Sequence, residues 1–205
     1  MDALILIDLQ NDFLPGGALA VPEGDEAVEV ANRLMPRFPL VVATRDWHPA
    51  DHGSFAANHP GKQIGETIEL VGLPQILWPV HCVAGTRGAE FAPSLNTSRI
   101  AETVLKGIDP QFDSYSGFFD NGRRRATGLD LLLRERGATR LVLLGLATDY
   151  CVRFTALDAR RLGWETWLVV DGCRGVNLAP GDDETALREM EEAGGEREGS
   201  SGVPE

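Results

Sequence analysis

Four short apolar runs of the chain each lead directly into side chains that can take part in catalysis. Asp8 follows the first run, Asp46 and His48 follow the second, Lys106 follows the third, and Cys151 comes soon after the fourth. In open α/β sheets the binding crevice lies beyond the carboxyl ends of the strands. If the four runs are parallel strands, two carboxylates, an imidazole, an amine and a thiol meet at one edge of the sheet.

Cys151 is the candidate nucleophile among these residues. It follows a turn of small residues and opens a predicted helix, where the helix dipole lowers a thiol pKa and free backbone N–H groups can bind an oxyanion. Position alone would fit a buried structural cysteine equally well. Asp8 and Lys106 favour catalysis, because the carboxylate can take the thiol proton and the ammonium stabilises both ionised partners. Cys82 and Cys173 lack such neighbours and are expected to be inert.

A candidate metal site lies in the irregular segment 47–98 and just before it. Asp46 and His48 are two residues apart, which in an extended segment points both side chains the same way. His81 would complete a set of oxygen and nitrogen ligands suited to Zn²⁺, Mn²⁺ or Fe²⁺. His52 could be a fourth ligand or a neighbour of the ligands. The alternative is that these are polar loop histidines that bind no metal.

The same region carries two aromatic residues that could hold a flat ring. Phe13 and Trp78 flank it on predicted loops, although each could equally pack in the core. The chain contains no Gly-x-Gly-x-x-Gly motif, no P-loop and no Gly-x-Ser-x-Gly motif. The chain therefore lacks the usual sequence signatures of a dinucleotide-binding protein, a nucleoside triphosphatase or a serine hydrolase.

An alternating pattern of strands and helices positions these residues. Apolar, β-branched-rich runs short enough to be strands alternate with stretches of helical spacing. The predicted strands are 3–7, 40–44, 102–105, 141–144 and 166–170, and the predicted helices are 25–35, 128–136, 151–162 and 183–192. The pattern predicts a three-layer α/β/α fold with a mainly parallel central sheet. We expect one domain over residues 1–193 and an acidic, flexible tail over 194–205.

Composition limits the classes of partner. The 205 residues carry a formal net charge of −12, which argues against binding to nucleic-acid phosphates or anionic membranes. No basic stretch precedes the first apolar run, as a secretory signal would require, so the expected location is the cytoplasm. Three cysteines are an odd number in a chain large enough to fold by burial, so a disulfide framework is not expected. A homo-oligomer stays possible.

Six motifs occur in an order and spacing that resemble a known family. They are DLQNDF at 8–13, DWHP at 46–49 with His52, WPVHCV at 78–83, KG at 106–107, YSGF at 115–118 and ATDYCV at 147–152. With these motifs the chain resembles the nicotinamidases (pyrazinamidases) of the isochorismatase-like cysteine hydrolase superfamily, over nearly all of its length except the tail.

The resemblance implies a role for each motif. The family's catalytic triad falls on Asp8, Lys106 and Cys151, and its metal ligands fall on Asp46, His48 and His81, with His52 a further ligand in some members. Phe13 and Trp78 match residues that hold a pyridine ring, and Tyr115 lines the pocket. By analogy the Leu146–Ala147 peptide bond is cis, and the backbone N–H groups of Ala147 and Cys151 form the oxyanion hole.

The resemblance also implies a reaction. It is the hydrolysis of nicotinamide to nicotinate and ammonia through a thioester, with pyrazinamide as a further substrate and one divalent metal ion, zinc before manganese or iron. The main alternative is a relative acting on another small amide or on an N-carbamoyl or ureido compound. A catalytically idle module that binds a metal and a small ring is the alternative from another class.

Overall fold

A six-stranded parallel sheet forms the centre of the molecule. We describe residues 1–203 of the chain from a computed structural model. Pro204 and Glu205, the end of the predicted tail, lie outside the described residues. Helices cover the sheet, so the predicted three-layer α/β/α fold is confirmed.

The secondary-structure elements have the following bounds. The strands are β1 Asp2–Ile7, β2 Leu40–Asp46, β3 Thr67–Leu70, β4 Leu73–Ile76, β5 Glu102–Lys106, β6 Arg140–Leu146, β7 Glu165–Arg174 and β8 Glu196–Glu198. The helices are α1 Gly24–Leu34, α2 Leu129–Glu135, α3 Arg153–Arg161 and α4 Asp182–Glu192. No helix of residues 1–203 is long and apolar enough to cross a membrane.

The strand order of the sheet is β5-β2-β1-β6-β7-β8. The core lies around β1, which has β2 on one side and β6 on the other. Ala3 to Ile7 are fully shielded from solvent, because a central parallel strand is covered on both faces. This is why the run is apolar at every position and does not alternate. Every predicted strand and helix has a counterpart in the structure, with ends that shift by at most four residues. The largest shift is at the carboxyl end of β7.

Three elements differ from the predictions. The predicted helix 151–162 begins as a π turn over Thr148–Val152 and continues as α3. The β3–β4 hairpin was not predicted. Its two turn residues, Val71 and Gly72, both have positive φ, a turn usually indicated by Asn-Gly or Asp-Gly. Because valine occupies the first turn position, the sequence shows neither of these residue pairs, and the hairpin could not be predicted from it.

The third difference lies in the segment predicted to be a flexible tail. Residues Glu196–Glu198 pair with β7 in parallel, from Trp167 to Val169, and form the sheet's last strand. Further along, the backbone N–H of Ser200 donates to Asp171 Oδ1 over 2.7 Å. Part of the predicted tail therefore belongs to the sheet, because the outer edge of β7 offers backbone groups that a short polar strand can satisfy.

Candidate active site

The carboxyl ends of four neighbouring strands bring the predicted catalytic residues together. Asp8 follows β1, Asp46 and Lys106 end β2 and β5, and Cys151 lies in the π turn after β6. These strands are adjacent in the order β5-β2-β1-β6. The expectation that the four strand ends meet at one edge is therefore confirmed.

Lys106 is at the centre of the group. Its Nζ is 2.8 Å from Asp8 Oδ2 and 3.3 Å from Cys151 Sγ, and it also pairs with Asp46 Oδ1 and donates to the carbonyl of Ser114 over 3.0 Å. The ammonium is completely buried. A buried charge is tolerated only when it is paired and hydrogen-bonded, and here two carboxylates do this.

The two carboxylates have different protonation behaviour. Burial raises the pKa of Asp8 above its ordinary value, although Lys106 acts to lower it. Burial alone would also raise the pKa of Asp46, but Lys106 and then His48 hold that pKa well below the ordinary range. Environments that push two neighbouring pKa values apart assign different roles to the groups. Asp8 is thus the carboxylate suited to accept a proton, and Asp46 remains ionised.

The Cys151 thiol does not have the lowered pKa that the sequence analysis expected. Burial raises its pKa well above the ordinary value, and Lys106 only partly offsets this because Asp8 and Asp46 act in the opposite direction. The main physical reason is that burial disfavours the thiolate, and the one ammonium nearby is shared with two carboxylates. The expectation is wrong, and the thiol requires a base at the moment of attack.

The turn that carries Cys151 has a backbone shape that the resemblance implied. The Leu146–Ala147 peptide bond is cis. The backbone N–H groups of Tyr150 and Val152 both donate to the carbonyl of Ala147, each over 3.1 Å. These bonds curl the chain so that Cys151 stands at the base of a cleft whose lining also includes Ala147.

Asp46, His48 and His81 form the predicted ligand set. Their ligand atoms all lie within 4.8 Å of one another, with Asp46 Oδ2 3.6 Å from His48 Nε2 and 3.8 Å from His81 Nε2. Ligand atoms held about 2.1 Å from a tetrahedral ion are about 3.4 Å apart. The arrangement therefore fits one divalent cation.

Hydrogen bonds on the far side of each ring support this fit. His48 Nδ1 is 2.9 Å from the carbonyl of Gly107, and His81 Nδ1 is 2.8 Å from the carbonyl of Pro79. Each contact leaves Nε2 free to face Asp46, as expected for histidine ligands. Gly107 must lack a side chain, since a Cβ there would lie 2.3 Å from the His48 ring.

His52 lies beside this set. Its ring centroid is 4.3 Å from that of His48, and it groups with His48 and Asp113 but not with the other two ligands. His52 Nδ1 is bonded to Ser54 Oγ over 2.7 Å, and Nε2 has no partner among residues 1–203. Burial lowers the pKa of the ring to about 4, so the ring is neutral.

An apolar cleft opens above the thiol. Together with its open mouth it spans about 350 Å³. Its lining comprises Phe13, Leu19, Asp46, Trp78, His81, Asp113, Tyr115, Ala147, Tyr150, Cys151 and Val176. The three predicted ring-binding residues, Phe13, Trp78 and Tyr115, thus lie in one cleft with the candidate nucleophile and two of the candidate metal ligands.

Four polar residues in or beside the cleft are among those to which sequence reasoning assigned no role. Asp113 and Tyr150 line it. Gln75 donates to Tyr115 Oη over 3.1 Å, and Gln10 bonds to Asp46. Tyr150 and Gln10 stand inside recognised motifs, which could have indicated them. Gln75 lies in the unpredicted hairpin, so no sequence signal pointed to it.

Comparisons with known proteins find a matching family model and similar sequences and structures. A family model described as the isochorismatase domain matches residues 2–198. The nicotinamidase of Escherichia coli strain K12 is 54% identical over 196 residues, covering 94% of this chain and 92% of that protein. A solved Acinetobacter baumanii nicotinamidase superposes with a TM-score of 0.95 at 45% identity, covering 99% of this chain and 98% of that one. The pyrazinamidase of Pyrococcus horikoshii, solved in complex with zinc, has a TM-score of 0.79 at 39% identity, covering 97% and 98%.

Proposed function

The chain belongs to the isochorismatase family, and from this we propose that it is a nicotinamidase: a cysteine amidohydrolase that converts nicotinamide and water to nicotinate and ammonia. The observation that carries the proposal is one cleft lined by a lysine-paired cysteine, two side chains of the candidate metal-ligand set and four phenylalanine, tryptophan or tyrosine rings. Pyrazinamide has the same ring size and the same carboxamide, so it is expected to be a second substrate.

Substrate binding uses the walls of the cleft. Phe13 and Trp78 flank the flat ring, and Tyr115 closes one side. Asp46, His48 and His81 would hold a divalent ion, which we propose to be zinc, with manganese or iron as alternatives, and the bound ion would supply a Lewis acid to the cleft. A ring held between these aromatic side chains has its carboxamide carbon facing Cys151 Sγ, which lines the same cleft.

The first half of the reaction forms a thioester. Asp8 accepts the thiol proton as Sγ attacks the carboxamide carbon, and the backbone N–H groups of Ala147 and Cys151 hold the oxyanion. Lys106 keeps its proton and stabilises the negative charge passing between Asp8 and Cys151. The C–N bond then breaks, and Asp8 returns the proton to the departing nitrogen, so ammonia leaves.

The second half of the reaction consumes water. Asp8 has given its proton to the departing ammonia and is again a carboxylate. It can therefore take a proton from water as the water oxygen attacks the thioester carbon. The same oxyanion hole holds the charge, and the C–S bond breaks as the proton passes to sulfur. The product acid is released and ionises to nicotinate as its proton passes to ammonia, and the thiol is restored, so the balance is nicotinamide plus water to nicotinate plus ammonium.

Ammonia release tests the proposal. Purified protein is expected to release ammonia from nicotinamide, to lose this activity after treatment with a chelator, and to regain it when Zn²⁺, Mn²⁺ or Fe²⁺ is added back. Benzamide lacks the ring nitrogen and is the matched control, expected to react far more slowly. If the metal-loaded protein releases no ammonia from nicotinamide, the substrate assignment is wrong.

Tyr115→Phe is expected to raise KM for nicotinamide about fivefold, equivalent to about 1 kcal/mol for a lost neutral hydrogen-bonding group. The Tyr115 hydroxyl accepts hydrogen bonds from Trp78 Nε1 over 2.9 Å and from Gln75 Nε2. Without it, Trp78 loses the contact that orients its ring. We expect kcat to change less than twofold, as steady-state kinetics would show. An unchanged KM would mean that Tyr115 does not order the cleft.

The alternative substrates, another small amide or an N-carbamoyl or ureido compound, are not favoured. A panel of N-carbamoyl and ureido compounds in the same ammonia assay separates this alternative from nicotinamide hydrolysis, since those substrates present a urea nitrogen rather than a ring-bound carboxamide.

A cytoplasmic location is part of the proposal and is consistent with Cys82, Cys151 and Cys173, which are all free thiols.

A further inference from the structure

Gln10 is a fully buried polar residue next to the catalytic group but outside the cleft lining. Its Nε2 donates to the carbonyl of Asp46 over 2.8 Å and to the carbonyl of Ala89 over 2.9 Å. Its Oε1 accepts from the backbone N–H of Asp46 over 2.8 Å. The side-chain amide thus pairs with both backbone polar groups of one residue.

The path of the chain explains why this pairing is needed. The backbone ladder between β1 and β2 ends at the pair Leu6 and Ala43, and the chain turns away at Asp8, where φ is +50°. Asp46 lies three residues beyond the end of that ladder. Its N–H and carbonyl would be buried without partners, at a cost of about 1–3 kcal/mol each. The side-chain amide of Gln10 supplies the two backbone hydrogen bonds that a continued β1 strand would have made with Asp46.

Asp46 contacts both the catalytic lysine and the two histidines of the candidate metal site. One carboxylate oxygen of Asp46 pairs with Lys106, and the other faces the Nε2 atoms of His48 and His81. The direction of a side chain follows from its backbone, so a rotation at Asp46 moves its carboxylate relative to both groups. Groups that orient metal ligands are typically worth 10- to 100-fold in metal affinity.

We propose that Gln10 is a positioning residue that orients Asp46 for metal binding through its paired hydrogen bonds to the Asp46 backbone. The inference rests on the ligand set of the proposed function and does not depend on nicotinamide being the substrate. Gln10 itself contacts neither the ion nor the substrate. Its effect is therefore expected in metal affinity measured without any substrate.

The test is zinc affinity of Gln10→Met, measured by competition with a chromogenic chelator. Methionine has about the same volume and removes all three hydrogen bonds. We expect the Kd for Zn²⁺ to rise about 10- to 100-fold. Gln10→Glu is the second variant, in case Gln10→Met fails to fold: it keeps the acceptor for the Asp46 N–H, loses both donated bonds, and is also expected to bind zinc more weakly.

Asn11→Ala is the matched control. Asn11 lies on the same loop, and its Nδ2 donates to the carbonyl of Arg87 over 2.8 Å. We expect the control to bind zinc like the wild type. A purely structural role for Gln10 would lower the melting temperature and leave the zinc affinity of the folded protein unchanged, which would overturn the inference. A wild-type protein that binds no zinc would overturn the proposed ligand set as well.

Discussion

Cys151→Ala is expected to lower kcat for nicotinamide by about four orders of magnitude, because no other group near the carboxamide can form the thioester. Binding is expected to survive. The cleft walls are formed by aromatic rings, and removal of one sulfur atom leaves them in place. Ammonia release measures the first effect, and isothermal titration with nicotinamide measures the second.

Cys173→Ala is the matched control for this variant. Cys173 is equally buried, in β7, and burial raises its pKa to about 12. It does not line the cleft, so we expect it to keep wild-type kcat. Substantial residual activity in Cys151→Ala would exclude Cys151 as the nucleophile, and inactivity of both variants would point to a folding defect.

Lys106→Met is expected to abolish activity and to lower the free energy of unfolding by about 3–5 kcal/mol. The substitution leaves Asp8 and Asp46 buried without the ammonium that both contact. Desolvation of two carboxylates close together is costly unless a cation compensates them. Urea unfolding of chelator-treated protein is the measurement, since an added ion would compensate Asp46.

Lys62→Met is the matched control for the stability change. Lys62 pairs with Glu66 over 3.1 Å at the surface, where the lysine side chain is 47% exposed. Exposed pairs of this kind contribute little to stability, so the control is expected to unfold like the wild type. Equal stability of Lys106→Met and wild type would contradict the buried ion-pair arrangement.

Much of the site could be predicted because parallel α/β folds obey strong topological rules. Asp8 and Lys106 each follow an apolar run, and the carboxyl ends of such runs are where these folds place their binding crevices. The short spacing from Asp46 to His48 likewise puts two ligands on one side of an extended segment. These inferences need only local pattern and a general rule of packing.

Other features depended on contacts that no local pattern reports. The hairpin that brings Gln75 to Tyr115 has a Val71-Gly72 turn without the usual turn residues. Strand β8 is short and polar, and it forms because β7 has a free edge. Both depend on partners far away in the sequence, so composition indicated a loop in one case and a tail in the other.

The residue types, their order and their placement at strand ends were determined by the sequence alone, because strand and helix periodicities are local properties of the chain. Their charge states were decided only by the tertiary structure. A helix position predicted a lowered pKa for Cys151, whereas burial beside Asp8 and Asp46 raises it. Such energies depend on distances of a few ångströms and on exclusion of water, and both exist only once the strands have assembled.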